Sequence, residues 1–398
     1  MSHGNAVGFF VYRGSVMKKK KPILASKFLI KAGITFYGKR YFSKRVRLID
    51  EGVLSQLKAP FVVVANHASF ADVAGMVMML YPNCASFVIS ETQIIKWPKL
   101  INRFGVLPKK QFTVDTSLIR DIKYVLSKNR PVVIYPEAKL SADGRQSIIK
   151  PAVAKLIKML KVPLVTVRFN GNYLHKPRWA KTKRFLPMTA DVQLAVTADE
   201  AKTISAEEIH SRIIANLACD DYAYQLANNI HIDTPDLAEG LEHLLYKCPV
   251  CNEEFVMTSK GNTLTCTKCG LQVVQNTLGQ LEGCQFDKVT DWVDWQRDCC
   301  RQEVLQEGYR TQKWFVAEQL DGKKYVEIGP AELVHDHTGV TLTIGENVEF
   351  FKKGVLYTLS FDNDHLYFAT EKAIYRLVRQ DQVGSTFKLN LLVEEQCK

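Results

Sequence analysis

The sequence predicts an α/β domain followed by a small cysteine-stapled module and an all-β domain. Three observations carry that prediction. Short apolar runs alternate with helical patterns between Phe61 and Phe169, two cysteine pairs occur at Cys248–Cys251 and Cys266–Cys269, and strand-length segments separated by turns follow Lys313. At 398 residues the chain exceeds one compact domain. The boundaries fall at 1–50 for a basic N-terminal segment, 51–235 for the α/β domain, 240–280 for the cysteine module and 285–398 for a helix plus a β-rich domain.

In the first segment, Phe28, Leu29, Ala32, Ile34, Phe36 and Tyr37 interleave with Lys27, Lys31, Lys39 and Arg40, as in an amphipathic helix. Such a helix either lies on an anionic bilayer or packs on its own domain, and the two are compatible. Next, 61–65, 86–90, 131–135 and 163–169 read as buried strands, and 115–127 and 148–160 as helices. The pattern changes near Thr234-Pro235, where a short helix over 238–245 leads into the cysteines. A helix over 290–305 carries Trp292 and Trp295 as packing residues. The final strands are expected at 314–318, 324–328, 340–344, 348–351, 356–361, 365–369, 373–378 and 387–393, a layout compatible with a small barrel or a pleckstrin-homology-like fold.

Charge is divided unevenly. Up to Ala190 there are 34 basic and 8 acidic residues, and after it 19 and 33. A cationic half points to an anionic partner. No segment reaches the ~18 uninterrupted apolar residues of a transmembrane helix, and Lys18–Lys21 follow rather than precede an apolar stretch, unlike a signal peptide. These features lead us to expect a cytoplasmic protein. Apart from the two pairs, the remaining six cysteines show no disulfide framework.

In an open α/β sheet, ligands bind beyond the carboxyl ends of strands. The strand 61–65 runs directly into Asn66-His67 and on to Asp72, and other strand ends present Tyr135-Pro136-Glu137 and Asn170-Gly171-Asn172. A neutral imidazole can take a proton from a hydroxyl while a carboxylate on its other nitrogen fixes the tautomer. The step from His67 to Asp72 is five positions, too far round for one face of a regular helix. The two meet only if His67 precedes a helix whose first turn holds Asp72. Competing signatures fail: Gly33 to Arg40 lacks the hydroxyl of a phosphate-binding loop, and neither G-x-S-x-G nor G-x-G-x-x-G occurs.

His67 through Asp72 resembles the H-x4-D motif of the glycerophospholipid acyltransferase family, whose best-known members acylate lysophosphatidic acid. Gly105-Val106-Leu107-Pro108-Lys109-Lys110 resembles that family's second block, Tyr135 to Ser141 its third and Val162 to Val165 its fourth, over about residues 45 to 215. The resemblance implies a glycerolipid acyltransferase-like sheet with flanking helices, with His67 as general base and Asp72 orienting it. It also implies substrate contacts from Gly105, Lys109, Lys110 and Glu137. Ala138, Lys139 and Leu140 replace the third block's Gly, Thr and Arg, so the phosphate pocket is rebuilt, with Lys139 and Arg145 the nearest substitutes. The implied reaction moves an acyl group from acyl-CoA or acyl carrier protein to a lysophospholipid hydroxyl, at the cytoplasmic face of an anionic membrane. A catalytically weak, membrane-bound adaptor is the alternative.

Cys248, Cys251, Cys266 and Cys269 have the spacing of a zinc ribbon, with Gly270 permitting the tight second knuckle. Four protein ligands close the site, so Zn²⁺ is expected to be structural. Lys247, Lys260 and Lys268 are nearly offset by Glu253 and Glu254, so no nucleic-acid partner is expected.

Overall fold

The computed structural model describes residues 21–35, 46–69, 71–94, 99–109, 115–184, 186–370 and 373–398. The first sheet has seven strands: β1 (Val46–Asp50), β2 (Val62–Ala65), β3 (Ser86–Ser90), β4 (Val106–Lys109), β5 (Val132–Ile134), β6 (Leu164–Asn170) and β7 (Met188–Val196). Their spatial order is β1-β7-β6-β2-β5-β3-β4. The run from β6 to β4 is parallel, and β7 joins β6 antiparallel with β1 outside it. The expected mixed α/β sheet is therefore present, and it recruits β1 from the segment read as N-terminal.

Numbering the helices of seven or more residues, α1 is Lys27–Gly33, α2 Ala71–Leu80, α3 Thr116–Leu126, α4 Ala152–Leu160, α5 Ala206–Leu217 and α6 Asp221–Ala227. The β-branched run of β2 is buried on both faces, as a central parallel strand requires. Val62 and Val64 face one core with Leu118, Ile122, Ile157 and Ile213 from α3, α4 and α5. Val63 and Ala65 face the other with Met76 and Leu80 of α2. α3 starts where Asp115 accepts hydrogen bonds from the amides of Ser117 and Leu118, both at 3.1 Å. Of the amphipathic segment expected over 28–42, α1 occupies the first part; residues 36–42 lie outside the described residues.

The cysteine module is an antiparallel sheet in the order β11-β10-β9-β8, formed by β8 (Met257–Lys260), β9 (Thr263–Cys266), β10 (Gln272–Gln275) and β11 (Leu281–Glu282). Residues 238–245 supply only a 3-10 turn, Leu241–His243, in place of the expected short helix. Helix α7 (Val289–Leu305) follows, with Trp292 fully buried and its indole N–H donating to the Lys247 carbonyl at 3.0 Å.

The last seven strands, β12 (Arg310–Asp321), β13 (Lys324–Asp336), β14 (Gly339–Ile344), β15 (Asn347–Lys352), β16 (Ser360–Phe361), β17 (His365–Ala369) and β18 (Ile374–Arg379), form an antiparallel half-barrel in the order β15-β14-β13-β12-β18-β17-β16. The expected all-β domain is present, with two differences. The segment 387–393, read as a strand from its alternating apolar residues, lies within helix α8 (Ser385–Gln396). Phe387, Leu389, Leu391, Leu392 and Val393 are all buried, so this helix is enclosed on every side and loses the one-sided stripe that marks a surface helix. Of 356–361 only β16 is strand; the preceding residues form a strap leading from β15.

A single hydrophobic core joins the three parts. Ala68, Tyr173 and Trp179 of the first domain share it with Cys248 and Leu264 of the cysteine module and with Trp292, Phe315 and Leu391. Among the described residues no helix is long and apolar enough to cross a membrane.

Candidate active site

Strand β2 delivers the chain to Asn66, whose side chain ties two strand ends together. Its amide donates to the Phe169 carbonyl, and its oxygen accepts from the Phe169 amide, both at 2.8 Å. His67 follows immediately, ahead of α2. Asp72, wholly buried in the first turn of that helix, accepts from His67 Nδ1 at 2.9 Å, from the Ala68 amide at 2.8 Å and from the Ser69 amide at 3.1 Å, all through Oδ2. The positive end of α2 also favours the carboxylate. With Nδ1 committed to Asp72, Nε2 is the ring nitrogen left for a substrate hydroxyl. Beneath the imidazole lies the Tyr135 ring, 4.3 Å away and nearly parallel at 27°.

The main chain of His67 is gripped from both sides by one loop. Glu137 Oε1 accepts the His67 amide at 3.1 Å, and the Ser141 amide donates to the His67 carbonyl at 2.7 Å. Glu137 Oε2 accepts the Ser147 amide at 2.8 Å, closing the loop on itself. Ala138, at the position of the family's glycine, holds a left-handed φ of 59°. A third strand end takes part through Asn172, whose side-chain oxygen accepts from Ser69 Oγ at 2.8 Å.

His67 opens into a cavity of about 710 Å³ lined mainly by aliphatic side chains of β3, β5, α3 and α4, together with Lys109, Lys139, Lys150 and Arg178. Burial holds the Lys109 amine below its ordinary range. Lys139 is spoken for: Glu394 accepts from its Nζ at 2.6 Å and Asn390 at 3.1 Å, and both partners belong to α8. Burial would raise the Glu394 carboxyl, but Lys139 and Arg297 hold it well below the usual range, so the pair is ionic. Arg145 lies outside the cavity lining, its guanidinium divided between Asp143 at 2.8 Å and Asp294 of α7 at 2.7 Å. Lys139 and Arg145, expected as phosphate contacts, are ties between domains, and Lys139 also lines the cavity. Gly105 is also absent from the lining. Its φ of +78° starts β4, where a side chain would meet Ala25 and Ser86. Glu137 supports His67 rather than lining the cavity, and Lys110 lies outside the described residues.

Sequence reasoning missed Lys150, Arg178 and the strap residues Gly354 to Ser360 on the cavity wall. None stands in a recognisable block, and the strap arrives from another domain. The stack of Tyr135 on His67 was open to inference, because Tyr135 ends a strand parallel to and beside β2.

In the cysteine module, all four Sγ atoms lie within 4.8 Å of one another. Cys248 and Cys269 approach to 3.6 Å and Cys251 and Cys266 to 3.7 Å. A tetrahedron with Zn–S bonds of about 2.3 Å has edges of about 3.8 Å, so the residues fit a tetrahedral metal. Gly270, at φ +77°, lets its amide reach back to the Cys266 carbonyl at 3.0 Å.

Fold and site together define an α/β domain with a His–Asp pair at a strand end. Residues 33–170 match the family described as Acyltransferase. A Caenorhabditis elegans protein named as a candidate 1-acyl-sn-glycerol-3-phosphate acyltransferase is 31% identical over 124 residues, covering 29% of this chain and 45% of that protein. The match thus spans less than half the length of that relative. The crystal structure of the 1-acyl-sn-glycerophosphate acyltransferase from Thermotoga maritima is similar at 21% identity and a TM-score of 0.39, covering 48% of this chain and 76% of that one. Over residues 33–170 the chain is thus similar to acyltransferases.

Burial raises the Glu137 carboxyl from its ordinary value of 4.5 to about 7, although the Ser147 and His67 amides favour the anion. A group raised in the folded state stabilises most below its unfolded value and loses that contribution as pH rises through the folded one. Wild type is therefore expected to lose stability between about pH 5 and pH 8, and Glu137→Gln to show a shallower loss, leaving the part due to Asp221, which burial also raises to about 7. Urea midpoints across that range measure it; identical slopes would contradict the assignment.

Proposed function

We propose that the protein transfers a fatty acyl group from an acyl thioester to the hydroxyl of a lysophospholipid, by direct attack. The observation that carries this reading is the 2.9 Å contact of His67 Nδ1 with buried Asp72, on the wall of a largely apolar cavity. His67 Nε2 takes the acceptor hydroxyl's proton, and the alkoxide oxygen bonds to the thioester carbonyl carbon. Collapse of the tetrahedral intermediate expels the thiolate, which takes the proton from the imidazolium. Asp72 holds the tautomer and stabilises the imidazolium formed in between. The donor is acyl-CoA or acyl carrier protein. Lys109, half-buried on the cavity wall, supplies positive charge for a phosphate-bearing substrate.

The reading includes peripheral attachment to an anionic membrane from the cytoplasmic side. Its support is at the N-terminal edge, where Phe28 is 79% and Ile23 54% exposed beside Lys21, Lys27 and Lys31. It also includes a structural Zn²⁺ held by Cys248, Cys251, Cys266 and Cys269. When bound, the ion would cross-link two knuckles of a module too small to make a core alone.

His67→Ala is expected to lower acyl transfer by about 10²–10⁴-fold while remaining folded by circular dichroism. Unchanged transfer in that variant would overturn the reading. Metal analysis of the purified chain is expected to return one zinc per protein, with Cys251→Ser losing it and unfolding at lower temperature. A metal-free wild type of equal stability would contradict the structural role.

A further inference from the structure

The cavity that opens at His67 is not built by the acyltransferase domain alone. Its inner walls are aliphatic, with Leu118, Ile119 and Ile122 of α3 and Val153 and Leu156 of α4. The strap between β15 and β16 also lines it, through Gly354, Val355 and Tyr357, as does Ser360 at the start of β16. Three cations of the first domain fasten this strap. Lys150 Nζ sits 4.7 Å from the centre of the Tyr357 ring, Lys139 donates to Thr358, and Arg178 donates to the Phe361 carbonyl while lying 5.3 Å from that ring's centre. Between them Leu356 and Leu359 are buried, anchoring the strap in the core.

We infer that the strap of the C-terminal β domain is the specificity-determining wall for a long unbranched acyl chain, with Val355 and Tyr357 touching that chain. The inference rests on the acyl-transfer reading above and deepens it. A volume of about 710 Å³ suits a flexible apolar ligand of that size class. Aliphatic lining rewards each methylene that leaves water by about fourfold in affinity. The far end of a chain entering at His67 meets either the α3–α4 walls or the strap, and only the strap comes from outside the family domain. Val355 is 46% exposed, so its side chain can be replaced without opening the core.

The test uses the full-length protein and measures kcat/KM over acyl thioesters of six to eighteen carbons with one lysophospholipid. A second arm varies the acceptor's own acyl chain over the same lengths with one thioester. The two arms separate a donor chain from an acceptor chain as the occupant. In one of them, Val355→Trp is expected to lower the long-to-short ratio of kcat/KM by tenfold or more, and Tyr357→Ala to raise it. Such a ratio within one preparation does not depend on the fraction of protein folded. An active wild type whose variants keep its profile in both arms overturns the inference alone. A wild type inactive on every thioester overturns the acyl-transfer reading and the inference with it.

Discussion

The loop 137–141 holds both main-chain polar groups of His67, and a buried ion pair holds the loop. Glu137 and Ser141 fix where the imidazole starts, and Asp72 fixes where it points. Lys139, between Glu137 and Ser141, carries a full charge into a site where it is only 3% exposed, as is its partner Glu394. Such a pair costs much desolvation and is a poor source of stability by itself, yet removing one partner strands the other and typically costs about 3–5 kcal/mol. What it supplies here is registry. The loop that positions His67 is tied to α8 through Glu394 and Asn390, and to the strap through Thr358, the three groups that receive the amine.

From that dependence the arrangement of the other domains follows. Helix α8 is seated by α7, through Arg297 on Glu394 at 2.7 Å and Arg301 on Glu395 at 2.9 Å. In turn α7 rests on the cysteine module, where Gln296 accepts the Lys247 amide at 3.0 Å and the Trp292 indole is held by the Lys247 carbonyl. Lys247 immediately precedes Cys248. A metal at the four thiolates and the geometry of His67 are therefore linked by a short series of buried contacts, although the metal would take no part in the reaction.

Much of this was open to sequence reasoning where the determinants are local. The apolar runs at 61–65, 86–90, 131–135 and 163–169 correspond to β2, β3, β5 and β6, because central parallel strands are continuously apolar. The spacing of His67 and Asp72 required a helix to begin between them, and α2 begins at Ala71. Two kinds of feature were not legible. α8 reads as a strand because its burial on all sides erases helical periodicity. Lys139 reads as a phosphate ligand because its partner lies 255 residues away, and nothing near Lys139 announces it. The strap beside the cavity has the same origin: its role is set by what it packs against.

Through these contacts α8 sets the position of His67 by way of the loop. Amide hydrogen–deuterium exchange of peptides covering 66–69 and 140–143 tests it most directly, comparing wild type with Glu394→Gln. The substitution weakens the hold on Lys139 from the helix side and leaves both peptides chemically intact. Faster exchange is expected in both peptides while the β2 peptide covering 61–65 stays as protected as in wild type. Unchanged exchange at 66–69 and 140–143 in a folded Glu394→Gln protein would contradict it.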